Sequence, residues 1–145
     1  MADVFVSYHM KSAGEVVRRI VETLELDGIS CWYAGRDMEI GSFPGIAKRA
    51  IDRCRVFLLI LNQYSVHSEH VKNEVALAFK RYARHEPIDF LIFSVDGSRL
   101  EDDDDMEYIL VRQKVLGGCP PDETRVQTLV EQVKRIAEPS GIQQR

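Results

Sequence analysis

The stretch SEHVKNEVALAF, residues 68–79, puts a carboxylate at the margin of an apolar helical stripe. Val71, Val75, Ala78, Phe79 and, just beyond, Tyr82 recur at helical spacing and define the stripe. At ~100° per residue, Glu74 falls on its flank rather than on the far polar side. His70 stands one turn earlier. A carboxylate so placed has two uses. It can pair with a nearby lysine or arginine, as flanking glutamates commonly do, or it can be an anion anchored by the core and open to a ligand. His70, two residues after a candidate cap at Ser68, is either a solvated first-turn histidine or a ligand contact. Other reactive groups lack an ordered context. Ser65, Ser68 and His67 do not form a triad pattern, and capping explains the serines. The acidic run EDDDD at 101–105 reads as a solvated loop, because adjacent acids cannot converge on a cation without special turns. Cys31, Cys54 and Cys119 are far apart, with no CxxC or Cys/His spacing, so no metal site is expected.

The elements that must position these groups alternate between two periods. DVFVSY (3–8) reads as a buried strand. Residues 13–27 carry Val17, Ile20, Val21 and Leu24 on one helical face, stopped by Gly28. ISCWY (29–33) is strand-like, and AGRDMEIGSFPG (34–45) is a loop rich in glycine. A helix from about Phe43 to Arg53 follows. RVFLLILN (55–62) is a continuous apolar strand, as expected for a central one covered on both faces. After the helix capped by Ser68 come a strand IDFLIFSV (88–95), a short helix near 104–110, a weak strand VRQKVL (111–116) and a final helix over 120–138.

Such β–α alternation predicts a flavodoxin-like, doubly wound, five-stranded parallel sheet of order 2-1-3-4-5 with helices on both faces. Ligands of that architecture bind beyond the carboxyl ends of the strands. The segments there hold Ser7, Tyr8, His9, Arg36, Asp37, Glu39, Phe43, His70 and Glu74. Tyr8 and Trp32 also fit as core aromatics, with alternation favouring the core for Trp32, and Phe43 also fits as a staple for its helix. A phosphoacceptor receiver is excluded, since Ser7–Tyr8 and Asn62 stand where its acids would be. A flavin phosphate loop is excluded too, because SYHMKSAGE has one glycine, placed too late. No GxGxxG or P-loop occurs.

The 145 residues suit one domain, 1–138, with 139–145 as a linker or frayed end that leaves room for a longer parent chain. Apolar residues make up 45% and charged residues 29%, a globular composition. A net charge of −4 argues against nucleic acid as the main partner. The N-terminus lacks the basic and apolar regions of a signal peptide, and VFLLIL (56–61) is too short to span a bilayer, so no membrane association is expected. An odd cysteine count fits a reducing, cytoplasmic setting.

DVFVSY, then LELDGISCWYAGRDMEIGSF, then IDRCRVFLLILNQYSVHSEHVKNEVALAF together resemble a Toll/interleukin-1 receptor (TIR) domain of the bacterial and plant-like kind. The likeness is close over residues 3–95 and looser beyond. It is carried by the F-x-S-Y strand, the R-D-x-x-x-G loop and the S-x-x-V-x-x-E helix start, in that order. Enzymatic members of this family cleave NAD⁺ at the nicotinamide–ribose bond, giving ADP-ribose or cyclic isomers. The resemblance makes NAD⁺ the substrate, requires no further cofactor, and places Glu74 at the catalytic position. It puts Ser7, Tyr8 and His9 near the nicotinamide end, Phe43 as an aromatic packed on substrate, and Arg36 and His70 among the substrate contacts. Arg36, Asp37, Glu39 and Gly41 fall in the loop through which the family self-associates. Where many enzymatic members have tryptophan four residues before the glutamate, this chain has His70, which can stack or donate a hydrogen bond. The resemblance implies other TIR domains as partners, a fused or separate sensor, and a role in immunity against phage. The competing class is a non-catalytic TIR scaffold, which typically lacks the glutamate.

Overall fold

Alternation in the first strand and helical periodicity in the following segments divide the apolar residues between two layers. The computed structural model describes residues 2–38 and 45–137. Its elements are β1 (Val4–Ser7), α1 (Met10–Leu26), β2 (Cys31–Trp32), α2 (Ala34–Asp37), α3 (Gly45–Arg53), β3 (Val56–Leu61), α4 (Glu69–Ala83), β4 (Asp89–Ser94), α5 (Asp104–Leu110), β5 (Lys114–Gly117) and α6 (Glu123–Ala137). The strands form one parallel sheet in the order β2-β1-β3-β4-β5, as the sequence predicts. β3 is buried along its whole length.

Val4, Val6, Leu58, Ile60, Leu91 and Phe93 face α1 and α6. Phe5, Phe57, Leu59, Leu61, Phe90 and Ile92 face α3, α4 and α5. The period of two along each strand produces this division. It puts Ser7, in step with Phe5, on the α4 side. Trp32 is half-buried on that side, stacked on Phe5 with centroids 4.9 Å apart.

Several boundaries move, each for a local reason. α1 starts at Met10 rather than at residue 13. The loop expected at 34–45 opens with the short helix α2, in which the Asp37 carboxylate accepts the Tyr33 N–H at 3.0 Å. The described part of α3 begins at Gly45. β5 starts at Lys114 because residues 111–113 turn after α5, with the Gln113 N–H bonded to the Leu110 carbonyl at 2.9 Å. The expected tail at 139–145, and Glu39, Gly41 and Phe43, lie outside the described residues.

Two side-chain expectations are corrected. Tyr82 is 43% exposed, and the buried place at that end of α4 belongs to Arg81. The acidic run is more than a solvated loop, because Asp103 caps α5 by accepting the N–H groups of Asp105 and Met106. Among the described residues no helix is long and apolar enough to cross a membrane.

Candidate functional site

Ser7 closes β1, and α4 follows β3, its neighbour in the sheet. Ser68 caps α4, its hydroxyl accepting the Val71 N–H at 3.2 Å as the sequence predicts. That start fixes the helical phase. Val71, Val75 and Ala78 turn inward, and Glu74 turns with them toward the end of β1. The Ser7 hydroxyl donates to Glu74 Oε1 at 2.6 Å. Glu74 is 7% exposed and Ser7 is fully buried. A carboxylate buried this far survives because its oxygens are bonded. The second oxygen, Oε2, lies 3.1 Å from His70 Nε2.

The bond to Glu74 raises the His70 pKa, against the opposing effect of burial. A raised folded value means that the charged pair stabilises the fold fully below the ordinary value of 6.5 and is lost as pH rises through the folded value.

Tyr8 points to the opposite side of β1. Its hydroxyl accepts the Gly35 N–H at 2.9 Å, and its ring lies 6.2 Å from that of Tyr33. Burial raises the phenol's pKa, the Gly35 bond opposes this, and the charge of Glu74 is close enough to contribute. A side-chain carbon at Gly35 would stand 2.6 Å from the Tyr8 hydroxyl. Gly35→Ala is therefore expected to break this bond and cost about 1–2 kcal/mol in urea unfolding.

His9 lies at the start of α1. Its Nδ1 is 2.7 Å from Ser12 Oγ, and its ring stacks on Tyr64 at 5.3 Å. Ser12 in turn accepts from Asn62 Nδ2 at 2.9 Å, and Asn62 Oδ1 accepts the N–H groups of Tyr64 and Ser65. These contacts join the loops after β1 and β3.

Arg36 is committed elsewhere. It pairs with Asp37 at 2.9 Å and Glu25 at 2.8 Å, donates to the Cys31 carbonyl at 2.7 Å, and lies 5.0 Å from the centre of the Tyr33 ring. The structure thus brings Ser7, His70 and Glu74 together, sets Tyr8 beside them and His9 on the adjoining loop, and uses Arg36 and Asp37 to anchor α2.

A second polar cluster, absent from the sequence reading, fixes the start of α4. Lys72 Nζ is 2.8 Å from Asp103 and 3.3 Å from Asp105, and His67 Nδ1 is 3.2 Å from Asp103. Burial alone would raise the Asp103 pKa. The Lys72 bond, the Met106 N–H and His67 outweigh it and hold the carboxyl at about 2. The readable signal was an aspartate just before a short helix with acids in its first turn. Among the described residues no group of three or more histidines, cysteines or acids could hold a metal ion. The buried thiols of Cys31 and Cys54 are pushed up to about 12 and about 11 by burial.

No curated protein sequence matches the chain. Solved structures do. A metazoan TIR-STING receptor from C. gigas, in complex with 2',3'-cGAMP, superposes with a TM-score of 0.73 at 19% identity, over 92% of this chain and 39% of that one. The chain therefore spans about two fifths of that receptor. The TIR domain of a Toll-related receptor, TRR-2, from Hydra magnipapillata gives 0.69 at 16% identity, over 92% of this chain and 99% of that one. The TIR domains of the activated Roq1 resistosome give 0.59 at 18% identity, over 94% and 84%. At these identities the likeness speaks for the fold. A family model described as TIR domain matches residues 4–130, and on that match the chain belongs to the TIR domain family.

Proposed function

We propose that this domain cleaves the nicotinamide–ribose bond of NAD⁺, with Glu74 as the catalytic residue. One observation carries the reading. Glu74 is a buried carboxylate at the carboxyl end of the sheet, fixed by the Ser7 hydroxyl at 2.6 Å. The bond from the ribose C1′ to the pyridinium nitrogen breaks, and its electron pair leaves with neutral nicotinamide. Positive charge then develops on the ribose, and a prepositioned anion stabilises it. Water captures C1′ and loses a proton to give ADP-ribose. Capture by a nucleophile of the same ADP-ribosyl group gives a cyclic isomer. NAD⁺ is the substrate, and no cofactor takes part.

Tyr8, His9 and His70 suit the nicotinamide end, together with Phe43. Arg36, held by Glu25 and Asp37, suits a role in anchoring the loop that also holds Glu39 and Gly41, the segment for self-association. Association with other TIR domains would activate the site. The assembly named for the Roq1 TIR domains, an activated resistosome, supports that part. A fused or separate sensor, an antiphage role and a cytoplasmic location complete the reading. The last accords with three free thiols.

Concentrated protein incubated with NAD⁺ should release nicotinamide together with ADP-ribose or a cyclic isomer, read by chromatography. A TIR domain that only associates would release none, and that result at high concentration would end the catalytic reading. Ser7→Ala should lower kcat about tenfold, because a hydrogen bond to a charged group contributes roughly 1.5–3 kcal/mol. KM should move less, since the buried Ser7 hydroxyl is committed to Glu74 Oε1 and orients the carboxylate.

A further inference from the structure

Glu74 has two carboxylate oxygens, and both are occupied. Oε1 accepts from Ser7 at 2.6 Å, and Oε2 lies 3.1 Å from His70 Nε2. The two partners differ in freedom. Ser7 is fully buried in β1, whereas the His70 side chain is 67% exposed on the first turn of α4. We propose that Oε2 is the oxygen that acts on the substrate, and that His70 covers it and, when protonated, competes with the substrate for it. The inference rests on Glu74 being the catalytic residue. It divides the carboxylate into a held oxygen and a working one, and makes His70 a positioning residue that sets substrate affinity.

The competition follows from charge. The nicotinamide ribosyl end of NAD⁺ is a cation, and so is an imidazolium. One carboxylate oxygen cannot hold both at contact distance, and the two cations repel in a partly buried site. A neutral imidazole can still donate to Oε2 but lacks the ion-pair attraction of the imidazolium, and so yields more readily. An exposed side chain can swing into solvent without breaking core packing, so displacement costs little beyond the bond itself.

Among the described residues the titratable group that acts on His70 is Glu74. From β1, Ser7 faces Glu74, and Tyr8 just after it is turned to Gly35 on the other side of the strand. On α4, Lys72 is turned to Asp103 and Asp105, with Glu69 at its outer edge. His67 is turned to Asp103 on the α5 side. The raised His70 pKa carries the charged, covered form toward neutral pH.

The test is a pair of steady-state profiles for NAD⁺ between about pH 5.5 and about pH 8.5, the range in which a histidine changes charge. Wild type and His70→Gln are compared at one protein concentration. Wild-type KM should fall about tenfold as pH rises through the His70 titration, with kcat moving less, because the ion-pair attraction between imidazolium and carboxylate is lost. KM of His70→Gln should lose this dependence. A flat wild-type KM, or an unchanged slope in His70→Gln, would overturn the proposal.

A substrate-free measurement stands beside it. The His70 imidazole midpoint, followed by NMR, should drop in Glu74→Gln, and an unmoved midpoint would overturn the cover. The absence of nicotinamide release at every pH would instead remove the catalytic reading, and the competition with it, while the NMR result still reports on the pair.

Discussion

Glu74→Gln should abolish nicotinamide release while the domain stays folded. Glutamine preserves size and keeps a carbonyl oxygen to accept from Ser7, whose hydroxyl donates to Oε1 at 2.6 Å in the native protein. The variant therefore removes charge and little else. A donor or anion aimed at developing charge in a water-poor site is typically worth about 10²–10³ in kcat, so the residual rate should fall by at least that factor. Stability should stay within about 1 kcal/mol, since the hydrogen bonds are replaced rather than deleted. Nicotinamide release and circular dichroism on the same sample check both halves. Full activity in this variant would show that the carboxylate serves only to pack α4 against β1.

The second large effect concerns stability. Arg81 has a side chain only 7% exposed, and its guanidinium reaches across to the end of α3. It donates to the carbonyls of Ile51 at 2.9 Å and Cys54 at 2.6 Å, to Glu86 at 3.0 Å and to the Pro87 carbonyl at 3.3 Å. The first two carbonyls belong to the C-terminal end of α3, where helical hydrogen bonding runs out. A cation there also meets the negative end of the helix dipole. Arg81→Met keeps the aliphatic stem and strands these acceptors. Each unpaired buried polar group costs about 1–3 kcal/mol, so a loss of about 3 kcal/mol is expected. For a chain of this size that lowers Tm by on the order of 10 °C. Urea unfolding should show a lower midpoint at unchanged slope. A loss below about 1 kcal/mol would mean that water replaces the guanidinium at these carbonyls.

The sheet was legible because its signal is repeated. VFLLIL and DFLIFS leave little room for a polar face, and the helical stripe of α1 is regular, so strand order and layering follow from alternation and connection rules. The position of Glu74 was legible in part. Helical phase set it beside the buried face, but its partner could not be read locally, because Ser7 lies on a different strand. Arg81 escaped for the opposite reason. A stripe continued from Ala78 predicts an apolar residue at the next turn, and Tyr82 supplies one. The structure buries the arginine beside it, because the end of a distant helix needed donors. Asp103 escaped because a run of acids looks uniform, although one member caps a helix and its neighbours do not. For Glu74 and Arg81 the missing information was a partner far along the chain, while periodicity reports on the nearest turns.

The hydrogen bond from Ser7 to Glu74 joins residues 67 positions apart. Closing so long a segment costs chain entropy that no local contact repays, so contacts of this kind come after the strands have paired. β1 must first zip against β3, with Val4 beside Val56 and Ser7 beside Leu59. During synthesis Ser7 waits while β2, α3 and β3 are made, and the carboxylate arrives last. A nascent or partly opened chain therefore carries every atom of the Ser7–Glu74 pair without having the pair. For the reaction proposed for Glu74, completion of the fold is itself the safeguard that keeps an unfinished chain from cleaving NAD⁺.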